Sequence, residues 1–419
     1  FFWLPADYNV KSFNKHAALD LIRFSGVGLS RTDLADKMGL TRAAVSLIVN
    51  DLLDSQVIQE AESRSAPSGR PPIVLEINPN RGLVGAIDMG ATHISIALAD
   101  FTARIHRESE FSFDIKDGPE ICIEKADQKL KDMLSELGLS HSDLSAIGVG
   151  VPGPVITEAG IVIAPPIMPG WDHFPIRETL EKKWNCPITL NNDAELGALG
   201  EWAYGAGRGE KNIAYIKIGS GVGAGLVLNQ QIYGGTTGAA GEIGHLTIDE
   251  SGPLCNCGNH GCLEAFAGGH AIAQQGQLLA KSGKRTLLSN TPTEKITALK
   301  VSEAARHGDL HAQEILRRAG TSIGIAIAGL INLFNPSVVI IGGGVAQIGD
   351  TLTNPIRQAV RERAMRASEQ SVRITTGMLG RRSLLIGATV QAINIAIHNA
   401  AENKNSIPKK STLEILGMN

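Results

Sequence analysis

The sequence predicts an α/β protein: an N-terminal winged helix-turn-helix, then two α/β domains, with a structural metal loop in the second. Three observations carry that prediction. Residues 17–52 read as three short helices with a tight turn between the second and third. A unit of three strands occurs twice, at 83–113 and at 212–233. Three of the five cysteines, Cys255, Cys257 and Cys262, crowd together behind His245.

Composition narrows the class. A length of 419 residues suggests about three domains of ordinary size. Hydrophobic residues make up 43% and charged residues 19%, the balance of a globular chain with a real core. A net charge of −3 argues against a general polyanion binder. The longest apolar candidate, Ser322–Phe334, is too short for a membrane span and stops at Pro336. The opening FFWLPADYNV has no basic head with a cleavage site. No export signal is therefore expected, and the chain is expected in the cytoplasm with its thiols reduced.

The N-terminal block, residues 1–77, is taken in chain order. Ala17–Phe24 reads as a helix with Leu19, Leu21 and Ile22 inward, broken by Gly26 and Gly28. Ser30-Arg31-Thr32-Asp33 is a capping box that opens a second helix. Gly39 ends it, and Thr41 caps a third helix, where Val45, Ile48 or Val49, and Leu52 recur at helical spacing. That order is the helix-turn-helix pattern. On the third helix Thr41, Arg42, Ser46 and Asn50 stay on the polar side and can reach bases and phosphates in a major groove. Val57–Glu62 and Ile73–Asn78 can pair as a wing. The loop between them carries Arg64 and Arg70, which suit a narrow minor groove. The bland alternative is a polar linker. Residues 1–72 hold eight Lys/Arg and eight Asp/Glu, so any DNA affinity must come from local placement.

The duplicated unit follows. Each copy's first strand ends in a glycine loop: Asp88-Met89-Gly90-Ala91-Thr92, and Gly219-Ser220-Gly221-Val222-Gly223. Two facing loops with free N–H groups can hold phosphates between domains, although ordinary hairpin turns would look alike. A third run, Gly342-Gly343-Gly344, follows the buried strand SVVII and marks another close backbone approach, suited to an adenine or ribose. The first domain is placed at 78–195, helped by a C-terminal helix at about 384–400. The second is placed at 196–383, with the oligomerisation surface.

Between the copies a strand at 187–190 runs into Asn191-Asn192-Asp193 and a helix, which puts Asp193 at a strand end beside the interdomain cleft. Glu242 lies three residues before His245, and Glu264 two after Cys262. These acceptors, with no strongly basic companion, suit a neutral polyhydroxylated ligand, a sugar; helix caps and solvated acids are the bland alternative. The cysteine loop itself is either a disulfide knot or a metal site. Three thiolates and His245 complete a closed tetrahedral Zn2+ site, whose job is structural, and reduced thiols favour that answer over the knot.

These motifs resemble the ROK family, which groups sugar-responsive repressors with sugar kinases. The resemblance rests on GEIGHLTIDESGPLCNCGNHGCLEAFAG, IDMGATHI, NNDAELGALGE and VPGPV, and with the helix-turn-helix it covers nearly the whole chain. It implies an actin/hexokinase-like (ribonuclease H-like) fold, a structural zinc and a homodimer or homotetramer. It also implies a sugar held by Asn192, Asp193, Glu242, His245 and Glu264, with Gly153 of the VPGPV loop beside them. Kinase members lack the DNA-binding block that this chain carries.

The departures concern the nucleotide. Kinases usually read D-x-G-G-T-K in the first loop; here Ala91 replaces the second glycine and His93 the lysine, which adds a Cβ and removes a charge. Ala224 stands where the second loop commonly has glycine. Asp88, Thr92 and Asp193 remain. In the kinases an Asp at position 193 is the general base. The nucleotide set would be Asp88, Gly90, Thr92, Ser220, Gly221 and Gly343. The expectation is a repressor of carbohydrate uptake and catabolism genes, released from a palindromic operator by a sugar. The rival is an ATP-dependent sugar kinase carrying a DNA-binding head.

Overall fold

The computed structural model describes residues 10–26, 28–62 and 73–402. The head comprises α1 (Val10–Phe24), α2 (Arg31–Met38), α3 (Arg42–Asp54), β1 (Ile58–Glu62) and β2 (Ile73–Ile77). The Ser30–Asp33 capping box forms, and Gly39 ends α2 in the left-handed conformation, φ 64°. Thr41 caps α3, and Val45, Val49 and Leu52 face inward. β1 and β2 pair antiparallel from Ile58↔Ile77 to Glu62↔Ile73, as a wing should. α1 begins seven residues before the expected Ala17. Its polar first half carries little apolar periodicity; it is held by contacts from the far end of the chain. Ser12 Oγ donates to Glu402 (2.7 Å) and Lys15 Nζ to the Ala401 carbonyl (3.1 Å).

The first α/β unit holds β3 (Leu83–Met89), β4 (His93–Asp100), β5 (Ile105–Ser112), α4 (Pro119–Ser135), β6 (Leu144–Val151), the short pair β7 (Val155–Ile156) and β8 (Ile161–Val162), α5 (Ile176–Trp184) and β9 (Ile188–Asn192). α6 (Asp193–Tyr204) leads to the second unit: β10 (Ile213–Ile218), β11 (Val222–Leu228), β12 (Gln231–Ile232), α7 (Leu263–Ala267), α8 (Gly269–Lys281), α9 (Ala298–Arg306), α10 (Leu310–Phe334), β13 (Val338–Gly342), α11 (Asp350–Arg363), α12 (Arg366–Ser371) and β14 (Arg373–Thr376). α13 (Ser383–Glu402) closes the fold.

The two sheets repeat one plan. Their strand orders are β5-β4-β3-β6-β9 and β12-β11-β10-β13-β14. In each, the first strand pairs antiparallel with the second and parallel with the fourth. This is the actin/hexokinase-like architecture.

Each central strand is buried on both sides, so alternate side chains enter different cores. In the second sheet Val339 and Ile341 pack with α8–α11, whereas Val338 and Ile340 pack with α6 and α13. In the first sheet Leu83 and Ile87 join a core with α4 and α5, whereas Ala86 meets Leu196 and Ala388. α6 and α13 thus form the middle layer. Their backbones cross closely at Gly200 and Gly387, where any side chain would collide with the carbonyls of Ser383 and Leu196. One sequence expectation needs correction here. Gly380–Glu402 is by length and composition apolar enough to cross a membrane, a longer run than Ser322–Phe334. It is mostly buried in this middle layer, where a helix covered on all sides needs no polar face.

Candidate functional site

The cysteine loop folds around one point. His245 ends a short 3-10 turn, and Cys262 sits at the N-cap of α7. A tight turn closes at Gly258, whose N–H donates to the Cys255 carbonyl (3.0 Å). The ligand atoms of His245, Cys255, Cys257 and Cys262 all lie within 4.8 Å of one another. Cys257 Sγ is 3.7 Å from Cys262 Sγ, and Cys255 Sγ is 3.7 Å from His245 Nδ1. Tetrahedral zinc, with bonds of about 2.0–2.3 Å, needs donors about 3.5–3.8 Å apart, so the residues fit a metal. All five cysteines are free thiols, so the disulfide reading falls away.

His245 serves two neighbours. Its Nδ1 faces the thiols, while its Nε2 lies 3.8 Å from Glu242 Oε2. Burial pushes the Glu242 carboxyl up to about 7, helped by the charges of Asp193, Glu264 and Glu195. Glu264 Oε2 accepts the Val222 N–H at 3.1 Å. A Cβ on Gly221 would strike that carboxylate, which explains the glycine.

α6 brings the next acid. Asp193 is its first residue and is 6% exposed. Asn192 caps the helix: its Oδ1 accepts the N–H groups of Ala194 (2.7 Å) and Glu195 (3.4 Å). Its Nδ2 donates to the Gly153 carbonyl at 2.8 Å, so the two are joined directly. Asn192 therefore fixes the start of α6, and its half-buried amide keeps a second N–H for a ligand. Glu195, which the sequence reading passed over, is buried, takes a hydrogen bond from Asn191 (3.2 Å), and is raised above its ordinary pKa by that burial.

The expected lack of a basic companion is wrong. Lys217 of β10 donates from Nζ to Asp193 Oδ2. Burial opposes its charge, but Asp193 and Asp88 outweigh that and hold its pKa above the ordinary lysine value. The signal was in the sequence: one lysine inside the otherwise apolar run IAYIKI.

The glycine loops lie at matching ends of the two copies. Asp88, one residue before the end of β3, is buried, and its Oδ1 has no hydrogen-bond partner. Burial pushes its pKa to about 7, with Lys217 opposing and Asp193 and Glu110 adding. Gly90 and Thr92 form the turn into β4, where Thr92 Oγ1 is 3.5 Å from His93 Nδ1. In the second loop Ser220 is exposed. The Gly219 N–H bonds the Gly221 carbonyl (2.9 Å), and Glu264 takes the Val222 N–H. A phosphate there would find two donors already used and a carboxylate beside them. Gly342 and Gly343 do mark a close approach, to the Tyr215 ring and the Ile218 carbonyl, which accounts for both without a ligand.

On the head, Thr41 and Arg42 are exposed and Ser46 is half-buried. The Thr41 hydroxyl accepts the Ala44 N–H at 3.2 Å. Asn50 is exposed but takes a hydrogen bond from Arg31 Nη1 (2.9 Å), and Arg31 also pairs with Glu60 on the wing (3.1 Å). Leu47, 73% exposed on the same side of α3, was missed because apolar residues were assigned inward. Arg64 and Arg70 lie outside the described residues.

α1 joins this head to the middle layer. Arg23 donates to Asn394 Oδ1 and to the Val390 carbonyl (3.2 Å) on α13. The His16 and His398 rings stack with centroids 4.0 Å apart. Phe24 meets Trp202 of α6 edge-on at 5.1 Å.

Comparison with known proteins returns a consistent picture. The sequence profile of the ROK family matches residues 84–395. The xylose repressor of Caldicellulosiruptor bescii is 28% identical over 386 residues, covering 92% of this chain and 96% of that protein. A glucokinase of Halalkalibacterium halodurans is 36% identical over 311 residues, covering 74% of this chain and 94% of that protein. A crystal structure of a ROK family transcriptional regulator, homologous to the E. coli MLC protein, superposes with a TM-score of 0.81 at 27% identity. It covers 94% of this chain and 100% of that one.

Proposed function

The chain belongs to the ROK family, and from that premise we propose that it is a sugar-responsive, DNA-binding transcriptional regulator. It represses genes for carbohydrate uptake and catabolism and leaves its operator when a sugar fills the cleft. One observation carries the mechanism: α6 has the buried Asp193 at its first turn and Trp202 against Phe24 of the head near its last. At 1.5 Å per residue these ends are about 14 Å apart, a short rigid path.

Sugar hydroxyls donate to Asp193, Glu242 and Glu264, with His245 completing the set. Asn192 and Gly153 hold the helix end. Zinc bound by His245, Cys255, Cys257 and Cys262 keeps Glu242, His245 and Glu264 in register and takes no part in chemistry. Closure of the two α/β units around the sugar carries α6, α13 and α1 as one packed body. In a homodimer, or a pair within a homotetramer, that motion changes the spacing of two heads on a palindromic operator. Arg42, Thr41, Ser46 and Asn50 would meet the major groove, and Arg70, outside the described residues, is assigned to the minor groove. A tenfold loss of operator affinity needs about 1.4 kcal/mol of differential sugar binding. The cytoplasm, with its DNA and reduced thiols, is the fitting compartment.

The full-length similarity to a named repressor, with the head included, supports this reading over a kinase. Ala91, His93 and Ala224 point the same way. Fluorescence anisotropy on upstream DNA, at fixed salt, with a panel of glucose, N-acetylated amino sugars and xylose, tests it. One sugar should weaken binding at least several-fold, and Glu242→Ala should abolish that response while sugar-free binding persists. A Glu242→Ala protein that responds like the parent overturns the cleft assignment. DNA-independent ADP release with the same sugar would put the kinase in its place.

A further inference from the structure

The two copies place opposite charges at one equivalent point. Asp88 is the next-to-last residue of β3 and pairs in register with Gly150 of the parallel neighbour strand. Lys217 is the next-to-last residue of β10 and pairs with Gly342 of its own parallel neighbour. Strand alternation sends both side chains to the face that meets α6, the face of Ala86 in one sheet and Tyr215 in the other. Asp193, the first residue of α6, completes the group: the Lys217 ammonium bonds its carboxylate.

Asp88 is the unusual member. It is only 6% exposed, and its Oδ1 has no hydrogen-bond partner. A buried carboxylate in that condition lacks either a proton or a cation. Asp88 at the end of β3 and Asp193 at the start of α6 both lie buried on the α6 side of the sheets, and two such carboxylates are a donor set that a divalent ion takes, with water filling its other positions. Here the Lys217 side chain, 23% exposed, brings its ammonium to Asp193, while Asp88 makes no ion pair with it within 4.0 Å and feels its charge from further off. An ammonium is a compact point charge, so it neutralises what a metal would neutralise. It cannot bridge phosphate oxygens as a metal does in phosphoryl transfer.

We propose that Lys217 is a tethered cation standing where Asp88 and Asp193 would otherwise hold a divalent metal ion. The cleft therefore receives an uncharged sugar without metal and cannot seat a metal–nucleotide complex. This goes beyond the regulator reading, because it predicts a latent metal site whatever ligand the cleft takes.

The test is Mn2+ binding, read by electron paramagnetic resonance on the full chain at pH 8. Manganese prefers oxygen donors, so the thiol-rich loop does not compete for it. The parent protein should bind no Mn2+ at this site. Lys217→Met, and Lys217→Gln as a second variant in case the first folds poorly, should gain one site per chain. Its Kd should be about 10⁻⁴–10⁻³ M, the range of loosely built carboxylate sites. Adding Asp88→Asn or Asp193→Asn to either variant should weaken it at least tenfold. The proposal is overturned if the parent binds Mn2+ as tightly as the Lys217 variants, or if a folded Lys217 variant binds none. It is also overturned if the added Asn leaves the gained site intact. Loss of the sugar response in the parent would instead sink the regulator reading and leave this result standing.

Discussion

The two repeats share a backbone and differ in what braces them. Both sheets have the same strand order, and both put a glycine loop after the first strand. Both sheets are packed by helices, the second by α8–α11, but only the first has the head against its cover: α13 lies over it, and α1 packs on α13. The second carries the long segment between β12 and α7, with little apolar burial of its own around the cysteines, where Leu246 and Leu254 are exposed. Its order comes from donors gathered on one point. Duplication therefore sets where a side chain sits, while the local support decides what can be asked of it. In the proposed reading Glu242 and Glu264 of the second repeat would take their frame from a metal held by the neighbouring loop, whereas the head packs on the first repeat.

Breaking the metal centre should produce the largest effect and should divide the repeats. With Cys262→Ser, or with a chelator that strips the loop, hydrogen exchange over residues 242–268 should rise by orders of magnitude. Amides of β3 and β6 should stay protected. The sugar response should vanish with it, since Glu242 and Glu264 lose their frame. Equal loosening of both sheets would show that the loop is a general brace and that the contrast is false.

Breaking the joint of the first repeat is a smaller operation. Phe24→Ala removes the ring that meets Trp202 and leaves the cleft untouched. Truncation of a Phe at such a contact costs about 3–5 kcal/mol where fully buried and less at this half-buried site. The sugar-induced thermal shift should persist. The sugar-induced loss of DNA affinity should fall several-fold. A variant that couples normally would move the path to the Arg23–Asn394 and His16–His398 contacts.

These differences explain what was legible in the sequence. The repeat was, because apolar strands alternating with glycine turns need no knowledge of their partners. The metal loop was, because ligand types at short spacing can meet only locally. The first half of α1 was not: Ser12 bonds Glu402 and Lys15 bonds Ala401, nearly four hundred residues away, and Lys15 also pairs with Asp51 of α3. Asn192 was read as a ligand because it precedes Asp193. Its position just before a helix is also that of an N-cap, a second role that its Oδ1 fills while the amide nitrogen keeps a donor. Lys217 was passed over because strand pattern was read for hydrophobicity alone, when the one residue that broke the pattern held the chemistry.

The smallest expected effect concerns the equivalent charges themselves and is read as a pH dependence of stability. Burial raises the folded pKa of Asp88 to about 7, from an ordinary value of 3.8. Between those values the folded state holds a proton that the unfolded chain has released, so stability falls as pH rises through the window. Above about 7 both states are ionised and the loss is complete. The displacement is worth at most about 4 kcal/mol, and Lys217 absorbs part of the cost. Asp88→Asn removes the titration, so its melting temperature relative to the parent should climb by several degrees from pH 4 to pH 7 and then level off. No comparable trend should accompany Ser220→Ala, at the exposed loop of the other repeat. A pH-independent difference for Asp88→Asn would mean that Lys217 already keeps Asp88 ionised throughout. Asp88 and Lys217 would then form a balanced pair at a distance, rather than Asp193 alone being satisfied by the ammonium and Asp88 being left strained.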